Sequence, residues 1–281
     1  MSILRIRFTA LNESVLRINL PQLLGELSKI AQEAFAQCAS YQGNPDRNLG
    51  KKPAIPISWK GIGRFVDARD GLVYRNEALI WHVRLLLEQK EHLEKEIERA
   101  FPDDTKAFQV EVTSRQKLGF ILDDIIFNSM SAFDYLSEFV FAAHMPKKRG
   151  KMLWSSLIKN CHRIKDKELV KALEDSEFML VKPLNRYRGH VIHNGPELGD
   201  VKLSGQFYSD DFGAVHNMLA PEKLISNLPI FKNYDKGLKI EACVAMFVEQ
   251  CLRHQIRILI FLSRFEYEVR SDCWAPSENK I

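Results

Sequence analysis

Two arginines and two histidines, Arg186, Arg188, His190 and His193, fall within eight consecutive positions of the segment Asn185-Arg186-Tyr187-Arg188-Gly189-His190-Val191-Ile192-His193-Asn194-Gly195. An arginine can grip a phosphate through two parallel charged hydrogen bonds, and histidine is the side chain whose ordinary pKa lets it take and give a proton near neutral pH. The segment therefore concentrates phosphate-binding and proton-transferring groups. Nothing else in the chain does so.

The segment reads as the end of a helix running from about Glu177 to His193. Asn194-Gly195 is a natural stop, because Asn or Gly after the last helical residue can take the left-handed conformation, and Pro196 forbids continuation. At about 100° per residue, Arg186, His190 and His193 share one face, whereas Arg188 is rotated about 140° from His193. Arg188 and His193 can meet at one phosphate if the last turn unwinds, or if a second copy of the helix supplies the complementary group across a two-fold axis. Two plainer readings stand beside this. Arginines near a helix C-terminus are stabilised by the helix dipole, and a terminal histidine can cap free carbonyls. His190 and His193 also have an i, i+3 spacing suited to a metal, but no neighbouring Cys or His-rich segment supplies further ligands, so no metal is expected.

Helical periodicity recurs along the rest of the chain. The apolar positions Leu20, Leu23, Leu24, Leu27, Ile30, Ala31, Ala34 and Phe35 predict an amphipathic helix with Asn19 as N-cap and Pro21 in the first turn. Tyr41 to Ser58 is rich in Pro, Gly and Asn and reads as a long loop. A second helix is expected from about Leu72 to Phe101, with the stripe Ala78, Trp81, His82, Leu85, Leu86, Leu93 and Ile97. A third is expected from roughly Ser114 to His144, apolar enough on one side to face the centre of a bundle. Shorter pieces follow around Trp154 to Cys161 and Lys167 to Ala172. Residues 195 to 235 look irregular, with an extended run Val201 to Tyr208 that can form a hairpin or lie along the bundle and does not by itself call for a sheet. A closing helix from about Leu238 to Val269 carries Cys243 and Cys251 on its apolar stripe as small core residues. The expected fold class is all-α: a helical bundle with one irregular insertion that can include a short β-hairpin.

Composition narrows the function classes. The 281 residues carry 40 Lys+Arg against 36 Asp+Glu, a formal +4, which permits local contact with nucleic acid but falls short of the strongly basic balance of a dedicated binder. One local basic stretch, Lys147-Lys148-Arg149 with Lys151, reads first as a solvated loop. Five scattered cysteines with no Cys-x-x-Cys pair indicate neither a disulfide framework nor a zinc knuckle and fit a reducing cytoplasm. No apolar leader opens the chain, and its greasiest stretch, Ile256 to Phe265, is interrupted by Arg257 and Arg264, so no membrane association is expected. No Walker loop, dinucleotide-binding glycine pattern, His-Glu-x-x-His motif or Gly-x-Ser-x-Gly elbow is present. His82 and His92 read as surface or core-edge residues, and Asp123-Asp124 as a pair able to orient a histidine from a neighbouring helix or simply to solvate a helix edge.

With the helix order above, Arg188 to His193 resembles the mark of the HEPN superfamily, small helical domains of which many are metal-independent RNases, and whose signature is an Arg followed after four to six residues by a His near a helix end. Arg186 to His193 fits the longer form of the same signature. The resemblance spans roughly residues 70 to 265 and implies an organisation in three parts: an N-terminal helix and loop over 1–60, a HEPN-like helical domain over 61–270, and a tail over 271–281. It implies RNA as substrate, a homodimer, and a partner protein such as an antitoxin in a toxin or anti-phage system, without a cofactor. His193 would be the acid/base and Arg188 the phosphate clamp, while Arg186, His190 and Asn194 would position the RNA. The alternative is a catalytically silent HEPN-like module that binds RNA or protein through the same face.

Overall fold

The computed structural model of the chain describes residues 19–43, 59–100, 104–144, 152–194, 202–206, 215–234 and 237–263. Side chains are described for these except 37–43, 59–62, 97–100, 104–115, 190–194, 202–206 and 215–217. The N-terminal 1–18, most of the expected loop, the basic stretch 147–151, the Gly195-Pro196 stop and the expected tail lie outside the described residues.

The first helix, α1 (Leu20–Gly43), begins where the sequence places its cap. The Asn19 carboxamide oxygen accepts a hydrogen bond from the backbone N–H of Gln22 at 3.2 Å, and its NH₂ donates to the Gln22 side chain at 3.1 Å, satisfying one of the donors a helix start leaves open. Leu27, Ala31 and Ala34 are buried at helical spacing.

Next, α2 (Trp59–Ala100) starts a good three turns before the expected Leu72. Its first turns contain Gly61 and Gly63, and Phe65, Ala68, Leu72, Asn76, Leu79, Val83, Leu86 and Leu93 form one continuous buried stripe. Packing of that stripe outweighs the roughly 1 kcal/mol a glycine costs inside a helix. The stripe is also rotated from the expected one: Trp81, read as apolar core, is 56% exposed. A third long helix, α3 (Asp104–His144), ends at the expected His144 but begins ten residues before the expected Ser114.

Three shorter segments follow: α4 (Trp154–Asn160) with a 3-10 turn, α5 (Lys167–Ser176) and α6 (Lys182–Asn194). The Asp166 carboxylate caps α5 by accepting from Glu168 N and Leu169 N, both at 3.0 Å. Between α5 and α6 the sequence suggests a break, whereas the helix continues through a single π turn, Glu177–Val181, in which Lys182 N–H reaches back five residues to the Glu177 carbonyl. Pro183 accounts for the widening. It has no N–H to give, and in a regular α-helix its ring would press on the carbonyl four residues back. The strands β1 (Lys202–Gln206) and β2 (Val215–Leu219) pair antiparallel in the register Lys202↔Leu219 to Gln206↔Val215. Then come α7 (Glu222–Asn227), a 3-10 turn and α8 (Ile240–Ser263), on which every described member of the expected stripe from Ile240 to Leu262 is buried. The chain is predominantly helical, the all-α class the periodicity predicts. Among the described residues no helix is long and apolar enough to cross a membrane.

By its contacts the chain divides into two compact units, and the division falls inside α1, α2, α3 and α8 and after the first residue of α6. One unit holds Leu23–Leu79, Phe127–Lys182 and α8 from Cys251 onward. Its core has aromatic rings meeting edge to face, Phe65 with Phe139 at 5.6 Å and Phe133 with Trp154 at 5.1 Å. The Trp154 indole N–H donates to Glu177 at 2.9 Å, and the Asp134 carboxylate accepts from Trp154 N at 2.9 Å. Deep inside, the Asn76 amide donates to Gln255 at 2.7 Å and to the Leu72 carbonyl at 2.9 Å. The other unit holds Ile80–Ile126 and Pro183–Gln250. There Leu86, Leu93, Leu118, Ile125, Leu184, Leu224, Phe231 and Phe247 are buried. Lys90 bridges Glu94 at 2.6 Å and the buried Glu241 at 3.6 Å, and Glu241 sits in the first turn of α8, where the helix dipole favours an anion.

Candidate functional site

The orientation of α6 is set by its apolar residues. Leu184 is fully buried and Tyr187 is 3% exposed, three residues further on. Tyr187 therefore anchors the helix. Its two neighbours, Arg186 and Arg188, lie about 100° to either side of it, and both are exposed. Opposite Tyr187 the helix is open: a Cβ added to Gly189 would meet nothing within 4 Å.

The positions of the remaining cluster members follow from the backbone, since the side chains of His190, His193 and Asn194 are outside those described. His193 stands seven residues after Arg186, about 20° from it around the axis and about 10.5 Å along it, on the same outer flank. His190 lies between them. Arg188 is on the other flank, about 140° from His193. Asn194 stands about 20° from Tyr187, on the anchored side. The helix runs to Asn194 without unwinding at the cluster, so along one copy of α6 the positions of Arg186, His190 and His193 come together and that of Arg188 does not join them.

The acidic pair on α3 meets a different histidine. Asp124 Oδ2 lies 3.6 Å from His82 Nε2 of α2, with His82 mostly buried at 17% and Asp124 at 60% side-chain exposure. His82 is thus a core-edge residue, and His92 pairs on the surface with Glu96 at 3.1 Å. Among the described residues no three His, Cys, Asp or Glu side chains gather in a way that could hold a metal ion. The thiols of Cys161, Cys243 and Cys251 are free and buried, and burial raises the pKa of each, which keeps them protonated and unreactive.

A second concentration of polar chemistry lies in the unit that holds α5. The Ser176 hydroxyl donates to the Ala172 carbonyl at 2.7 Å and sits 2.9 Å from His254 Nδ1. Beside them Arg257 donates to Asp175 at 2.8 Å. Burial lowers the His254 pKa, Arg257 lowers it further, and Asp175 opposes both. This group was not read from the sequence, because Ser176 and His254 are 78 residues apart. Its members on α8, Arg253-His254 with Arg257, form only a small local grouping that does not point to Ser176. Ser176 is fully buried, so the group clasps α8 to the end of α5 and exposes no nucleophile.

Compared with family models, with curated proteins and with solved structures, the chain matches none. The function therefore rests on the chain's own residues.

Proposed function

We propose that the chain is a metal-independent endoribonuclease of HEPN-like type, cleaving RNA by attack of a 2′-hydroxyl on the adjacent phosphate. The observation that carries this reading is that α6 turns both Arg186 and Arg188 to solvent around the buried Tyr187, just ahead of two histidine positions. Such a cleavage needs a base to take the 2′ proton, an acid to protonate the leaving 5′-oxygen, and cations on the crowded phosphate oxygens. His193 supplies the proton transfers and Arg188 the clamp, with Arg186 and His190 holding the RNA backbone. DNA, lacking the 2′-hydroxyl, is inert.

Helix geometry shapes the rest of the proposal. Because Arg188 and His193 diverge by about 140° on one helix, the composite site is formed in a homodimer, one copy giving the clamp and the other the acid/base. The setting is a cytoplasmic toxin or anti-phage system with a partner protein that restrains it, and the reduced core thiols suit that compartment.

The unbroken course of α6 through Asn194 favours a second reading, a catalytically silent module binding RNA or protein through the same two arginines. End-group analysis of RNA incubated with the protein in chelator separates the two. The nuclease leaves 2′,3′-cyclic phosphate and 5′-hydroxyl ends. Products with 3′-hydroxyl ends, or cleavage that stops in chelator, contradict it, and binding without cleavage selects the silent module.

A further inference from the structure

A cleft of about 290 Å³ opens between α1 and α2, lined by Ser28 and Gln32 on one helix and by Arg69, Asp70, Tyr74 and Glu77 on the other. Its aromatic wall is Tyr74, 63% exposed. That ring is held in place: the Arg75 guanidinium lies 5.6 Å from its centroid and 5.4 Å from that of Phe127, and is itself tied to Asn128 by a 3.2 Å hydrogen bond. An exposed ring held in this way offers a face on which a planar base can stack.

The polar lining decides what would stack there. Arg69 is committed, 2.7 Å from Asp70 and 4.5 Å over the Phe35 ring. Glu77, one turn beyond Tyr74, presents a carboxylate with two acceptor oxygens. Gln32 offers both donor and acceptor, and Ser28 sits one turn before it on the same helix. An organic cation is a poor occupant, because Arg75 already lies over Tyr74 and repels a second cation there. A flat, neutral ring with two adjacent N–H donors on one edge suits both the platform and the carboxylate. Among nucleobases that edge belongs to guanine, through its ring N–H and exocyclic amine.

We propose that the cleft between α1 and α2 is a nucleobase subsite, with Tyr74 stacking a guanine of single-stranded RNA, Glu77 accepting from its Watson–Crick edge, and Gln32 and Ser28 completing the polar contacts. The assignment rests on the reading of RNA as substrate and adds the class of base that is held.

Fluorescence anisotropy of the full chain with labelled 2′-O-methyl oligonucleotides tests it, since these lack the nucleophilic hydroxyl and report binding whatever the catalytic outcome. A uridine oligomer with one guanine is expected to bind roughly tenfold tighter than the same oligomer with adenine or uridine there. Tyr74→Ala should lose that gain and Tyr74→Phe keep it. Glu77→Gln should abolish the preference for guanine while leaving the adenine oligomer unchanged. Both side chains are exposed, so the fold should persist, which circular dichroism verifies. Equal binding of all oligomers, no effect of Tyr74→Ala, or displacement of the guanine oligomer by spermidine but not by guanosine monophosphate overturns the subsite. Guanine-selective binding with no cleavage of unmodified RNA would sink the nuclease and keep the subsite, and cleavage with no base preference would do the reverse.

Discussion

Ser176 and His254 meet with the serine hydroxyl 2.9 Å from the imidazole Nδ1, fastening the end of α5, just before the π turn, to α8. The same pair of helices is joined again by Asp175 and Arg257 at 2.8 Å.

The first prediction concerns pH. In the folded chain the His254 pKa lies below its ordinary value because of burial and the nearby Arg257. The unfolded chain therefore takes up a proton more readily than the folded one. The stability this group contributes is present above the ordinary histidine value, about 6.5, and is lost as the pH falls from there through the lower value of the folded chain. Urea unfolding midpoints measured from pH 8 to pH 5 should decline, and the decline should be shallower in His254→Gln. An unchanged pH profile in that variant would count against the clasp.

Gly189 gives a second prediction. It stands within α6 with open space where a side chain would go. Gly189→Ala should raise stability by about 0.5–1 kcal/mol, since alanine loses less backbone entropy in a helix. Thermal melts of the two proteins check this. A destabilised variant would mean that a side chain at position 189 meets another group, as it would where a second copy packs closely on α6.

The opposite sign is expected at Gly71. There a methyl group would overlap the Tyr135 ring, which lies directly against the α2 backbone. Gly71→Ala should destabilise by about 1–3 kcal/mol through overpacking. Adding Tyr135→Ala should recover part of the loss, a coupling that a double-mutant cycle in urea measures.

The legible parts of the fold were those governed by a single buried face. The α8 stripe from Ile240 to Leu262 and the Asn19 cap of α1 could be read because each depends on residues within a few turns of one another. The start of α2 was hidden by Gly61 and Gly63, whose local preference yields to the packing of Phe65, Ala68 and Leu72. Trp81 was misjudged because an indole at helical spacing looks like core, and only the neighbouring helices decide which of two adjacent stripes turns inward. The π turn leaves little trace beyond Pro183, since one widened turn barely disturbs the apolar rhythm. At the candidate site the outward course of Arg186 and Arg188 was implicit in Tyr187 between them. The Ser176–His254 contact was not, because it joins residues far apart in the chain.

For the α6 cluster the expected effects of substitution are separable. Arg186→Ala should mainly weaken RNA binding and flatten its salt dependence, because a backbone contact is lost. Arg188→Ala should lower the cleavage rate itself, by on the order of 100-fold or more, as loss of a charge stabiliser does. If the site is shared between two copies, mixing Arg188→Ala protein with His193→Ala protein should restore activity that neither has alone, and mixed preparations that stay inactive would exclude the shared site.

The most direct test is the single-turnover rate of RNA cleavage in chelator for the wild-type chain and for His193→Ala, with folding of both verified. The proposal predicts cleavage by the wild type and a fall of roughly 100-fold or more in the variant, the loss expected for a general acid–base group. Equal rates for the two proteins, or no cleavage by the wild type, would contradict it.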